Sequence, residues 1–205
     1  MQELKSQSIG ASSAHPLPMP LMLRLRTATE AHHRAIESSI GLAESREVHR
    51  RTIAAFYGFV CPWEQELGRL RCEPIRTLTR NRSKTPKLAA DLQSSGMEPQ
   101  EIALLPICAD LPDLSTCPNA LGSLYVLEGA TLGGQIISRH CERVLGLSDG
   151  VGYTYFQGYQ NETGAMWRAF GQIVEEQSSD YADDAIIRAA CDTFLKLHAW
   201  LGARI

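Results

Sequence analysis

The sequence predicts an all-α fold, and three observations carry that prediction. Apolar residues recur at three- and four-residue spacing over 23–40, 48–70, 121–137 and 183–201, which is the period of one helix face. Alternating apolar–polar runs of the strand type are scarce, and the ten prolines and sixteen glycines fall mostly outside the periodic stretches. No internal repeat is present, and a chain of 205 residues has ordinary single-domain size.

Residues 1–20, rich in serine and proline, are expected to form a flexible tail that carries His15 and has no core of its own, ahead of a domain over 21–205. The tail lacks an apolar run of signal-peptide length, so a cytoplasmic location is expected. The first helix, 23–40, sets Leu25, Ala28, Ile36 and Ile40 on one stripe and carries adjacent His32 and His33. The second, 48–70, has Ile53, Phe56, Tyr57, Val60 and Leu67, and Pro62 is expected to kink or split it. Thr85 and Pro86 open a short helix through Leu92 with proline in its first turn, and Gly96 ends it. Residues 99–108 read as a helical turn. Residues 147–164, with glycines and aromatics, read as a loop. Helices over 165–176 and 183–201 close the chain, the latter with Phe194, Leu197 and Leu201 as a core stripe.

Composition excludes several classes. The hydrophobic fraction of 44% and charged fraction of 21% are those of a globular protein. A net charge of −3 with no basic stripe argues against nucleic acid as a partner. Nothing approaches the roughly 18 consecutive apolar residues of a membrane-spanning helix. The six cysteines (61, 72, 108, 117, 141 and 191) show no CxxC pair and no histidine at zinc-finger spacing, and read as reduced, buried small apolar residues. Cys141, two turns past Gly134, is expected to sit away from any ligand.

Residues 121–134, LGSLYVLEGATLGG, hold the most informative pattern. Leu121, Leu124, Tyr125 and Glu128 have helical spacing, yet Gly129, Gly133 and Gly134 follow, each costing roughly 1 kcal/mol relative to alanine in a helix interior. Gly129 and Gly133 are four apart and share a helix face, so a planar ligand could approach the main chain there. Close packing of a second helix is the alternative. A phosphate loop is excluded, since no strand precedes the glycines and no Lys-Ser/Thr follows them.

A planar ligand also needs a group on the opposite wall, and the first helix supplies candidates. Helical phase does not choose between His32 and His33, but their neighbours one turn on differ. His33 is followed by Glu37, whose carboxylate can accept the Nδ1 proton and leave Nε2 free to bind a metal, whereas His32 faces Ile36. An ordinary surface His–Glu pair has the same spacing.

Together, ATEAHHRAIE and the downstream LYVLEGATLGG resemble the heme oxygenase family, in particular the bacterial type associated with bacteriophytochromes. The resemblance extends from Leu23 to the C-terminus and includes YQNETGAMWRAF, 159–170. It implies a single-domain helical bundle with heme between the first helix and a kinked, glycine-rich distal helix. By the family pattern His33 is the iron ligand, Glu37 its hydrogen-bond acceptor, and Gly129 and Gly133 the distal glycines beside which catalysis occurs, with Gly134 also at the cofactor. Arg26, two turns before His33, matches a basic residue on a heme propionate, and Tyr125 a propionate-binding tyrosine of bacterial members. Ala130 departs from the mammalian pattern, which has an aspartate that organises distal water; bacterial relatives also lack it.

The resemblance implies that heme is both cofactor and substrate, cleaved with O2 to biliverdin, carbon monoxide and ferrous iron. Axial ligand and distal polarity decide whether a heme stores or activates oxygen. No flavin or iron–sulfur motif is present, so a ferredoxin or an NADPH-dependent reductase is the implied electron donor, and a bacteriophytochrome a possible recipient of biliverdin. The alternatives are a heme carrier or sensor of the same fold without oxygenase activity, and a helical interaction protein that binds no heme.

Overall fold

A computed structural model describes residues 19–40, 43–148 and 150–205, so most of the expected tail, with His15, lies outside the described residues. Among those described, all regular structure is helical: α1 (Leu21–Ile40), α2 (Arg46–Arg69), α3 (Glu73–Thr79), α4 (Thr85–Ser94), α5 (Pro99–Ala103), α6 (Cys117–Gly129), α7 (Gly134–Arg143), α8 (Thr163–Glu176) and α9 (Asp180–Gly202). A 3₁₀ turn, Ala130–Gly133, joins α6 to α7, and a second, Gln160–Glu162, precedes α8. No helix among them is long and apolar enough to cross a membrane.

Helix starts follow side-chain caps that satisfy the free N–H groups of the first turn. Ser45 accepts from the Val48 amide, Thr116 from Asn119 and Ser179 from Ala182. Helix α1 has no such residue; the amides of Leu21 and Met22 donate to the Glu175 carboxylate of α8 at 3.0 and 2.8 Å. That tertiary cap, an anion at a helix N-terminus, explains why α1 begins before the first strong periodic residue.

Helix α6 is buried on most of its circumference, from Ala120 to Leu124 and from Val126 to Glu128, as an apolar-all-round helix must be. It is the centre of the fold. Gly122 lets α9 close on it: a methyl group there would overlap the Ile186 carbonyl oxygen. Trp63 of α2 donates from Nε1 to Ser123 Oγ of α6 at 2.8 Å, and Trp200 of α9 donates to the Ala55 carbonyl of α2 at 2.7 Å. The indole rings therefore fill the core while their N–H groups fix the register of α2, α6 and α9. Helix α1 lies along α9.

Two expectations change. Pro62 neither ends nor splits α2, which runs unbroken from Arg46 to Arg69. Proline leaves the carbonyl four residues back, that of Gly58, without its helical donor, and the Cys108 amide donates to it instead at 2.8 Å. Gly58 makes room for this, since a methyl group there would strike the Pro106 carbonyl. The cysteines are also not all reduced. Cys72, which caps α3, and Cys117, which opens α6, form a disulfide with Cα atoms 5.9 Å apart. Their separation of 45 residues gave no pairing signal in the sequence, and α3, whose start the bridge holds, was itself not expected.

Closing a loop of that length in the unfolded chain stabilises by about 4 kcal/mol in the chain-entropy account. Urea unfolding of the oxidised protein should therefore show a higher midpoint than the same protein in reductant or than Cys72→Ser. Coincident curves in all three would show that the bridge contributes nothing.

Candidate functional site

The glycine segment is one helical rod with a tight turn inserted. Gly129, Gly133 and Gly134 all have right-handed φ values of −59°, −77° and −58°, so none is required for a left-handed conformation. The 3₁₀ segment has about 3.0 residues per turn, so Gly129 and Gly133 are rotated further apart than in an α-helix and do not share one face as expected.

The glycines have different neighbours. Gly134 is buried, and a methyl group on it would overlap the carbonyl oxygen of Phe156. Its missing Cβ serves a close backbone approach from the 153–158 loop, a reason different from the ligand contact expected of it. Gly122, in the same stretch, serves helix packing, a role its sequence context did not reveal. Gly129 and Gly133 meet no such demand. A Cβ on Gly129 would rest in ordinary contact with the Trp167 ring at 3.7 Å, and one on Gly133 would have nothing within 4 Å. Beside them, Leu132 and Ile136 are 50% and 66% exposed. Both glycine positions have room for added side-chain atoms, and the exposed surface near them is apolar at Leu132 and Ile136.

On α1, His33 has Nδ1 at 3.3 Å from Glu37 Oε2, the imidazole half exposed. Glu37 thus lies beside one ring nitrogen, and Nε2 has no protein partner among the described residues. Phe194 of α9 meets both histidines, edge-on to His33 at 6.0 Å and stacked on His32 at 6.5 Å. His32 is the more buried of the two. No cluster of three His, Cys, Asp or Glu residues that could hold a metal ion occurs among the described residues.

Tyr125, half-buried on α6, stacks at an angle on Trp167 with centroids 5.6 Å apart. Burial pushes its hydroxyl up, and Thr29 and the Arg26 guanidinium pull against that. Arg24 is not a free arginine like Arg26: it bonds Asp183 at 2.6 Å and Asp184 at 3.5 Å, fastening α1 to α9. Cys141 is buried in α7 with Sγ 3.9 Å from His49 Nδ1, and burial pushes its thiol up to about 11. Two clefts, of about 190 and 420 Å³, are not lined by the glycines of the turn; the first lies beside Trp63, Arg82 and Lys84 and the second beside Arg46, His49 and Asp91.

Behind the turn is a charge cluster that the sequence reading missed. Glu128 is 1% exposed, and its carboxylate meets the Arg82 guanidinium, Lys84 Nζ at 2.5 Å and the Tyr159 hydroxyl at 2.8 Å. Burial alone would raise this carboxyl, but Lys84 and Arg82 outweigh it and hold it below the usual range. The partners come from distant parts of the chain, and helical periodicity carries no signal for such a contact.

Comparison with known proteins follows the same lines. A family model described as "Heme oxygenase" matches residues 19–203. A protein of Xanthomonas campestris pv. campestris named heme oxygenase is 30% identical over 159 residues, spanning 76% of this chain and 85% of that protein. Among solved structures, a heme oxygenase of Neisseria meningitidis studied with NO and CO bound superposes with a TM-score of 0.73 at 17% identity, covering 90% of this chain and 91% of that one. One from Leptospira interrogans gives 0.71 at 20% identity, covering 90% and 100%. Heme oxygenase-1 of Synechocystis, solved with heme, gives 0.71 at 18%, covering 90% and 92%.

The glycine geometry and the buried charges each give an expected outcome. Gly134→Ala should destabilise the ligand-free protein by about 1–3 kcal/mol or more through the clash with Phe156, whereas Gly133→Ala should be neutral or stabilising by up to about 1 kcal/mol. Equal losses in chemical denaturation would show that Gly133, too, is packed. Glu128→Gln leaves two buried cations without their anion and should cost about 3–5 kcal/mol near neutral pH. A carboxyl held below its ordinary value contributes stability above the unfolded-state pKa, and that stability is lost as pH falls through the native one. The gap between parent and Glu128→Gln should therefore narrow on acidification; a constant gap would show that the charge is not what matters.

Proposed function

Because this chain belongs to the heme oxygenase family, we propose that it cleaves heme oxidatively to biliverdin, carbon monoxide and ferrous iron, using O2 and external electrons. The observation that carries this reading is the pair Gly129 and Gly133. Both sit in helical backbone, both weaken it, and neither is explained by packing, turn geometry or a left-handed φ. Space for a flat group against the main chain does explain them.

The residues present fit heme. Bound there, heme supplies the iron at which O2 is reduced and the meso carbon that is oxidised. His33 offers Nε2 as the axial ligand, while Glu37 accepts from Nδ1 and fixes the tautomer and ring orientation. Phe194 limits rotation of that ring. Gly129 and Gly133 exclude side-chain bulk from the distal side, and Leu132 and Ile136 give apolar surface for the macrocycle to cover. Arg26 and Tyr125 would hold a propionate, the first by a charge-assisted bond and the second by a neutral one. With alanine at 130, no carboxylate side chain follows Gly129, and the backbone of the turn would supply the polar groups there.

Among family members we place this chain with the bacterial, bacteriophytochrome-associated type, on its distal LYVLEGATLGG pattern. Electrons come from a ferredoxin or NADPH-dependent reductase, and a bacteriophytochrome is the proposed recipient of biliverdin. We place the reaction in the cytoplasm, where such reductants occur; thiol-reducing conditions there would favour the open form of the Cys72–Cys117 pair.

Added hemin should give a histidine-type Soret band, and reductant with O2 should convert it to a bilin spectrum. A stable Soret band with no bilin would favour a carrier or sensor. His33→Ala should abolish native ligation and bilin formation while His32→Ala retains both; the opposite result would reassign the ligand. Gly133→Leu should weaken heme binding or block turnover, and unchanged bilin yield would remove the open-space argument. Arg26→Ala should shift the mixture of bilin isomers more than heme affinity, because an exposed ion pair contributes only about 1 kcal/mol or less. Arg24→Ala should lower stability and leave the isomers alone. An unchanged mixture from Arg26→Ala would remove its propionate role.

A further inference from the structure

We infer that Glu128 is a positioning residue for this site, holding the Ala130–Gly133 turn from behind so that its front can stay empty. The inference rests on the heme reading above and goes beyond the ligand-facing residues. A turn that must present open space to a ligand cannot be held from the ligand side. Gly133 touches nothing there, Leu132 is half exposed, and Gly129 has only a van der Waals neighbour in Trp167. A 3₁₀ segment also has poorer hydrogen-bond geometry than an α-helix. Its position therefore depends on contacts at its rear.

Three rear contacts exist. The Phe156 carbonyl presses on Gly134, and Gly158, left-handed at φ 57°, brings the same loop against Thr131. These set a limit of approach but exert no directional pull. The third does. Glu128 immediately precedes Gly129, and its carbonyl accepts from Thr131 Oγ1 at 2.7 Å, so its backbone is part of the turn. Its carboxylate is bound by Arg82, Lys84 and Tyr159 at once. Arg82 also donates to the Met166 carbonyl at 3.1 Å, next to Trp167, the residue that faces Gly129. One buried cluster thus locates both the turn and the aromatic ring beside it. Lys87 adds a bond to the Gly158 carbonyl and a cation over the Tyr159 ring, which ties the pressing loop to the same point.

Tyr159→Phe tests this with little risk to folding, because it removes only the hydroxyl that Glu128 and Lys84 share; Glu128→Gln is the stronger variant. In protein without heme, amide exchange of residues 130–135 should accelerate about tenfold in Tyr159→Phe, the loss of one charge-assisted hydrogen bond, while amides in the middle of α2 and α9 stay unchanged. In hemin-loaded protein the same variant should change azide affinity at the ferric iron severalfold while the Soret band of the parent is retained. Exchange that rises uniformly across the protein, or not at all, would make Glu128 merely structural and overturn the inference. So would a local rise with unchanged azide affinity. If the parent itself shows no Soret band with hemin, the heme reading fails and this inference fails with it; a normal parent with unaltered variants defeats the inference alone.

Discussion

Glu128, buried between Arg82 and Lys84, is the interaction that ties this end of the molecule together. It joins the end of α6, the segment before α4, the loop after α7 and, through Arg82, the start of α8. Taking one carboxylate and two cations out of water is costly, and such groups do not make a fold more stable than apolar residues of the same shape would. What they supply is direction. An apolar contact tolerates sliding, whereas a carboxylate shared by a guanidinium, an ammonium and a phenol has few satisfactory positions. That constraint sits one residue before the open face of the turn.

The central rod has two duties that conflict. As α6 it is the core of the molecule, covered on nearly every side. Beyond Gly129, under the proposed heme reading, its front must be bare. Glycine meets both demands for different reasons: Gly122 and Gly134 bring other backbone in close, while Gly129 and Gly133 keep side chains out. The 3₁₀ turn marks the boundary between the two duties.

Low identity to the solved structures, 17–20%, alongside TM-scores of 0.71–0.73, fits a fold specified mainly by pattern. Many apolar sets fill a helical core of given spacing. The positions that admit few alternatives are those where backbone meets backbone, at Gly58, Gly122 and Gly134, and where an indole N–H finds one acceptor, at Trp63 and Trp200.

The sequence by itself determined the helical class, the helices around 23–40, 48–70, 121–137 and 183–201, and the anomaly of glycines in helical surroundings, because local period and propensity are written in neighbouring residues. It also placed Glu37 one turn from His33 and Arg26 two turns before it, since helix geometry fixes such spacings. Only the tertiary structure decided the rest. Pro62 leaves α2 unbroken because Cys108, far along the chain, takes up the freed carbonyl. Cys72 and Cys117 meet because two helix starts converge. Arg24 is committed to Asp183 because α1 lies along α9. The separate reasons for Gly122, Gly129, Gly133 and Gly134 could not be told apart along the chain, because a missing Cβ has no meaning until what lies opposite it is known.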